Sequence, residues 1–251
     1  MGRPGVVANR AANISVQNAD LIIVLGARLD NVVTAYKLND FGRNAKKIVV
    51  DMDGNELAQK AKYKDYYLVN DNVKSFLMHF FNSNFDNIDN SWRKRCVELK
   101  GKFSKTSKVA KTNIGSNLSH DEFIDSVSDL VPENALLSTG SSGLAIEFFY
   151  ARFRNKIGQR IFLTSGLGAM GYGLSQSVGI SLARNNSIVF AFESDGSLMM
   201  NLQELATIKS YDLPIKIFIM NNGGYASIRN TQTNYFNKRF LGVDKNSGLL
   251  I

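Results

Sequence analysis

The chain of 251 residues holds one cysteine, Cys96. That excludes an internal disulfide framework and suits a reducing, cytoplasmic setting. No apolar run approaches the roughly 20 residues needed to span a bilayer, so a membrane is not an expected partner. The opening stretch MGRPGVVANRAANISVQ lacks an apolar core segment, which predicts no secretory signal. Acidic residues are the scarcer charge: 22 Asp and Glu face 30 Lys and Arg, a formal charge of +8. Part of the excess lies in WRKRCVELKGKFSKTSKVAK, from Trp92 to Lys111, which has a single Glu. Its only aromatics are Trp92 and Phe103, and it matches no nucleic-acid motif. It reads as a solvated linker face rather than a nucleic-acid stripe.

What is present points to an α/β protein. Hydrophobic residues make up 44% and charged residues 21%, ordinary for globular chains able to bury one large core or two modest ones. In residues 1–85, DLIIVLGA (20–27) and KKIVVDMD (46–53) are β-branched runs of buried parallel-strand type. YKDYYLV (63–69) is a weaker third strand. DNVKSFLMHFFN (71–82) places Val73, Phe76, Leu77 and Phe80 on one helical face behind an Asp or Asn cap. Residues 86–118 are polar and basic, the composition of a linker between domains. A capping box, SHDE (119–122), then opens a helix. From there strands ALLSTG, RIFLTS, SIVFAFESD and PIKIFIMNN alternate with helices through residue 251. The expected architecture is two doubly wound domains with mostly parallel sheets, at 1–85 and 119–251, joined by a basic linker at 86–118.

In such sheets ligands gather at the carboxyl ends of strands. Here those ends are STGSSG, TSGLGAMG, ESDGS and MNNGGYAS, all rich in Gly or Ser. The second contains Gly166, Gly168 and Gly171 at G-x-G-x-x-G spacing, with Glu193 ending the following strand. Alone, that is the fingerprint of a dinucleotide loop and its ribose carboxylate. A different pairing competes with it. Asp195 follows directly on a strand, with Gly196 and Ser197 leading into a helix, where backbone N–H groups welcome a diphosphate. Asn222 ends the next strand and offers an amide oxygen, and Gly223 and Gly224 let a main-chain carbonyl turn toward the same point. A hard cation such as Mg²⁺ needs oxygen ligands of this kind. The simpler reading makes Asp195 and Asn222 caps of ordinary turns.

The pairing resembles the diphosphate-binding motif of thiamine-diphosphate enzymes, a G-D-G followed one strand later by N-N. The wider resemblance is to their acetolactate-synthase-like branch. SGLGAMGYGLSQSVG, NLQEL, LPIKIFIMNN and GYASIRNTQ fit that branch, and RAANISVQNADLIIVLGARLD with NAKKIVVDMD resembles the second part of its central domain. The resemblance runs from about Gly5 to Leu249, with the basic linker poorly matched. It implies a partial central domain followed by a thiamine-diphosphate-binding domain.

By the same resemblance, Asp195 and Asn222 would be side-chain ligands of Mg²⁺ and Gly224 its main-chain ligand. Gly196, Ser197, Ala226 and Ser227 would donate to the diphosphate, as would Ser141 and Ser142 from another loop. Gly168 would allow close approach to the thiazolium and Met170 would wedge beneath it; a core methionine is the plainer reading of Met170. The implied chemistry is decarboxylation and carboligation of 2-oxo acids, the work of a transferase or lyase, and it belongs to the cofactor.

Departures are Ser194 for the first glycine of G-D-G and Ser175 for a proline. The family's N-terminal pyrimidine-binding domain carries the glutamate that activates the aminopyrimidine, and residues 1–85 hold no match. Glu147, Glu193 and Glu204 are not assigned to that role, Glu204 reading as a helix-capping partner of Asn201. No catalytic residue is therefore expected in this chain. The expectation is a fragment truncated at both ends and inactive alone, with the pyrimidine-binding domain supplied by another chain or a missing segment. A homo-oligomer is expected at full length, and FAD is not assigned. The competing functions are an NAD(P)-dependent oxidoreductase using the glycine loop, and a non-catalytic fragment.

Overall fold

A computed structural model describes residues 1–83, 90–104, 118–140, 143–163 and 167–248. The chain divides into two compact units, residues 1–110 and 111–251.

The first unit contains α1 (Arg10–Asn18), β1 (Leu21–Leu25), β2 (Lys46–Asp51), α2 (Gly54–Ala58), β3 (Tyr66–Asn70), α3 (Val73–Phe81) and α4 (Ser91–Ser104). Its strands form one parallel sheet in the order β1-β2-β3. Helices α1, α2 and α3 each begin at an Asx cap: the side chains of Asn9, Asp53 and Asn72 accept from the N–H two residues on. Each cap satisfies one donor that the first turn leaves unpaired. Val24, Val49, Leu57 and Tyr66 form the core.

Residues 91–104 depart from the expected linker. They form α4, a helix of 14 residues within the first unit. Leu99 is buried, the Cys96 thiol lies 3.9 Å from Ser15 Oγ on α1, and the Arg10 guanidinium sits over the Phe103 ring. Basic composition had hidden this helix, because a few apolar contacts suffice to dock it on α1 while its Lys and Arg face solvent.

The second unit contains α5 (His120–Leu130), β4 (Leu136–Thr139), α6 (Leu144–Arg152), β5 (Arg160–Phe162), α7 (Tyr172–Ala183), β6 (Val189–Ser194), α8 (Asp195–Leu198), α9 (Glu204–Ser210), β7 (Ile215–Met220) and α10 (Ala226–Tyr235). The capping box at Ser119 and Glu122 is formed in full. All four strands are parallel, in the order β5-β4-β6-β7. The winding reverses between β4 and β6, which opens a crevice at their carboxyl ends.

Alternation along β6 builds two different faces. Phe192 points to the side of α5 and α6, packing on Phe149 and Phe218 with ring centroids 4.8 and 5.0 Å away. Ile124, Val127, Leu137 and Ile146 complete that core. Ser138 and Glu193 point to the side of α7. There Ser138 Oγ donates to Gly173 O at 2.8 Å, and Leu174 N donates to Glu193 Oε1 at 3.1 Å. A Cβ on Gly173 would meet Gly140 N at 2.5 Å. The first turn of α7 therefore rests on the end of β4 itself, a position open only to glycine.

Candidate functional site

Asp195 leaves the end of β6 at the crevice and is 6% exposed. Its carboxylate is held by three backbone donors: Gly196 N to Oδ1 at 2.9 Å, and Gly224 N and Asn222 N to Oδ2 at 2.7 and 3.2 Å. One carboxylate thus ties the end of β6 to the loop after β7. Asn222 Oδ1 is buried and has no hydrogen-bond partner among the described residues. An orphaned amide oxygen in a buried setting calls for a ligand, because leaving it unpaired costs roughly 1–3 kcal/mol.

A cavity of about 170 Å³ opens here, lined by residues that include Gly143, Met170, Ser197, Asn222, Gly224 and Ser227. Ala226 and Ser227 begin α10, whose first turn directs N–H groups and the positive dipole end toward the crevice. Met170 is 39% exposed on the cavity wall, so it is not a core methionine.

Several predicted donors are already engaged. Gly196 N serves Asp195, and Ala226 N donates to Gly224 O at 3.1 Å. The Ser197 hydroxyl accepts from Gly171 N at 2.8 Å, while Asn201 Nδ2 donates to Gly171 O at 3.1 Å. These two bonds pin the residue after Met170. Asn201 therefore holds Gly171 rather than capping toward Glu204, since α9 starts from Gln203 without a side-chain cap. Gly168 stands apart from the cavity lining, and among the described residues nothing lies within 4 Å of where its Cβ would be. Ser141, Ser142 and Gly166 lie outside the described residues.

The surroundings of two residues are visible only in the fold. Glu193 is fully buried between Gly140, Gly173 and Leu174, and burial pushes its carboxyl above the ordinary carboxylate range. The nearby Ser197 hydroxyl and the N–H groups of Leu174, Gly173 and Ser194 oppose that rise. The second is Arg229 on α10, whose guanidinium donates to three main-chain carbonyls. The available signal was a lone cation just after two consecutive glycines, whose carbonyls need partners.

At the glycine loop the Ser197 hydroxyl takes the Gly171 N–H, and Gly171 stands where the third glycine of a dinucleotide fingerprint would serve close helix packing. Among the described residues no group of three His, Cys, Asp or Glu could hold a metal. Asp195 and Asn222 offer oxygen atoms of the kind a hard cation takes.

Residues 139–250 match the family model for the thiamine pyrophosphate enzyme C-terminal TPP-binding domain, and residues 1–79 match that for the central domain. The chain belongs to the thiamine pyrophosphate enzymes. It is 32% identical over 243 residues to an acetolactate synthase large subunit of Cyanidium caldarium, covering 96% of this chain and 40% of that one. It is 31% identical over 242 residues to the acetolactate synthase isozyme 2 large subunit of Escherichia coli K12, covering 96% and 42%. The chain thus spans about two fifths of the length of these relatives. Its fold matches a thiamine diphosphate-dependent 4-hydroxybenzoylformate decarboxylase of Rhodococcus jostii RHA1, with a TM-score of 0.64, 22% identity, and coverage of 95% of this chain and 43% of that one. Among the described residues no helix is long and apolar enough to cross a membrane.

Proposed function

We propose that this chain is the metal- and diphosphate-binding part of an acetolactate-synthase-like enzyme acting on 2-oxo acids. The observation that carries the reading is the orphaned Asn222 Oδ1 beside a carboxylate already fixed at the neighbouring strand end. The Asp195 carboxylate, Asn222 Oδ1 and the Gly224 carbonyl would hold Mg²⁺. The first turn of α10, from Ala226 and Ser227, would receive the diphosphate together with Gly196 and Ser197; Ser141 and Ser142 are proposed for the same role. Met170, fixed through Gly171 by Ser197 and Asn201, would support the thiazolium, with Gly168 giving the loop its turn. Bound there, thiamine diphosphate supplies the nucleophilic carbon that attacks a 2-oxo acid.

This chain's own residues bind and orient, and none of them is proposed to move a proton in the reaction. Glu193 is packed against Gly140 and Gly173 on the α7 side of the sheet. The activating glutamate would come from a pyrimidine-binding domain on another chain or another segment, and the assembled enzyme would be a homo-oligomer. The single cysteine suits a cytoplasmic location. Titrating the chain separately with thiamine diphosphate and with NAD, each with Mg²⁺ or with EDTA, tests this reading. It expects Mg²⁺-dependent binding of thiamine diphosphate and no comparable NAD binding. Adding pyruvate to the loaded chain alone should give no turnover; turnover without a partner would place the activating group in this chain.

A further inference from the structure

The loop after β7 contains two consecutive glycines, at φ +76° and +104°. Glycines lose the most conformational freedom on ordering, so something must hold this loop in one shape. Its N–H groups at Asn222 and Gly224 point to Asp195 Oδ2. Its carbonyls point the other way. Arg229 Nη2 donates to Asn222 O at 2.7 Å, and Arg229 Nη1 donates to Gly223 O at 2.7 Å and to Val243 O at 2.8 Å. The loop is stretched between a carboxylate and a guanidinium, each taking one kind of backbone group.

This arrangement sorts the oxygens. Arg229 occupies the main-chain carbonyls of Asn222 and Gly223, which would otherwise be free to swing toward a cation or water. Among the described residues two acceptors are left: Asn222 Oδ1, which has no partner there, and Gly224 O, which accepts from Ala226 N at 3.1 Å and has a second lone pair. Through Val243 O the same guanidinium also ties down the segment that backs Gly224, where a Cβ would lie 2.6 Å from that oxygen.

We propose that Arg229 is a positioning residue that selects which oxygens of the 222–224 loop face the cation, and so sets the affinity for the metal–diphosphate pair. This rests on the functional reading above. A lysine could not reproduce the function, because a single ammonium cannot span three carbonyls in a planar fork.

The test uses the full chain with Arg229→Met, Arg229→Lys and, as a charge control, Arg239→Met. Calorimetric titration gives the thiamine diphosphate Kd at saturating Mg²⁺ and the Mg²⁺ concentration for half-maximal binding. Amide exchange at Gly223 and Gly224 is measured without ligand. Arg229→Met should raise the Mg²⁺ requirement at least tenfold, Arg229→Lys should fall between, and Arg239→Met should stay within twofold. Exchange at the two glycines should quicken at least tenfold in Arg229→Met. The direction is diagnostic, because removing a positive charge near a cation site would by Coulomb's law lower the Mg²⁺ requirement.

If the unsubstituted chain binds and Arg229→Met stays within twofold, or shows only a lower Tm at unchanged affinity, the inference about Arg229 is overturned alone. If the unsubstituted chain does not bind, the functional reading falls and takes this inference with it. Should the Met variant not fold, Arg229→Lys decides: a three- to tenfold loss supports the role, and binding within twofold overturns it.

Discussion

Asp195→Asn removes one oxygen and the charge while keeping the shape, so its cost can be worked from the three bonds the carboxylate accepts. If the new amide group stood at Oδ2 it would face two N–H donors, from Asn222 and Gly224. The side chain will therefore turn its nitrogen toward Gly196 N, giving up the single bond at Oδ1. That loses one charge-assisted bond and sets two buried donors, the Gly196 N–H and the new amide N–H, against each other, at a cost of about 1.5–3 kcal/mol. With a urea slope of about 2 kcal/mol per molar, the midpoint should fall by roughly 1 M. Asp195→Ala strands all three donors and should cost at least ~3 kcal/mol. The assay is urea unfolding by far-UV circular dichroism in chelator, so that metal plays no part. Adding Mg²⁺ and thiamine diphosphate should then stabilise the unsubstituted chain and neither variant. An Asn variant as stable as the original in chelator would refute the reasoning, for it would mean that the two loops do not depend on the carboxylate.

Phe192→Ala removes a fully buried ring packed on Phe149 and Phe218, and should cost about 3–5 kcal/mol in urea unfolding; a loss under ~1 kcal/mol would contradict that packing. Gly224→Ala places a Cβ 2.6 Å from Val243 O at φ +104°, and should lower stability by roughly 1–3 kcal/mol, read as a lower Tm, with weaker Mg²⁺-dependent binding. Burial, with the charges of Tyr63 and Asp65 adding to it, pushes the Tyr66 phenol up to about 12 from an ordinary 10.0. Between those values the unfolded chain gives up this proton and the folded chain keeps it. The contribution is therefore complete below pH 10.0 and is lost as pH rises toward 12, at up to ~1.4 kcal/mol per pH unit. Tyr66→Phe should flatten that decline in unfolding measured across the same range.

Much of the fold was legible because parallel strands buried on both faces read as short apolar runs, as IVV in β2 and VFAF in β6 do. Local signals fixed several helix starts, Asn72 and the Ser119 box among them, because a cap needs only its own neighbours. Helix α4 was not legible: its docking depends on meeting α1, through contacts distant in sequence such as Cys96 with Ser15. At the site, Asp195 and Asn222 stood out from their places at strand ends, and the fold brings them together across 27 residues. The glycine loop was ambiguous, because the same spacing serves a pyrophosphate or a close helix packing. What its glycines touch is visible only in the fold, where Ser197 and Asn201 hold Gly171 and Gly173 lies against Gly140. Arg229 and Glu193 were invisible as partners, since their roles lie in main-chain groups that carry no residue identity.

The most direct measurement is calorimetric titration of the chain with thiamine diphosphate, in Mg²⁺ and in EDTA, alongside Asp195→Ala. Saturable binding in Mg²⁺, lost in EDTA and weakened at least tenfold in Asp195→Ala, is the expected result. Equal binding in EDTA, or an Asp195→Ala variant that binds as tightly as the original, would contradict a metal–diphosphate site at the ends of β6 and β7.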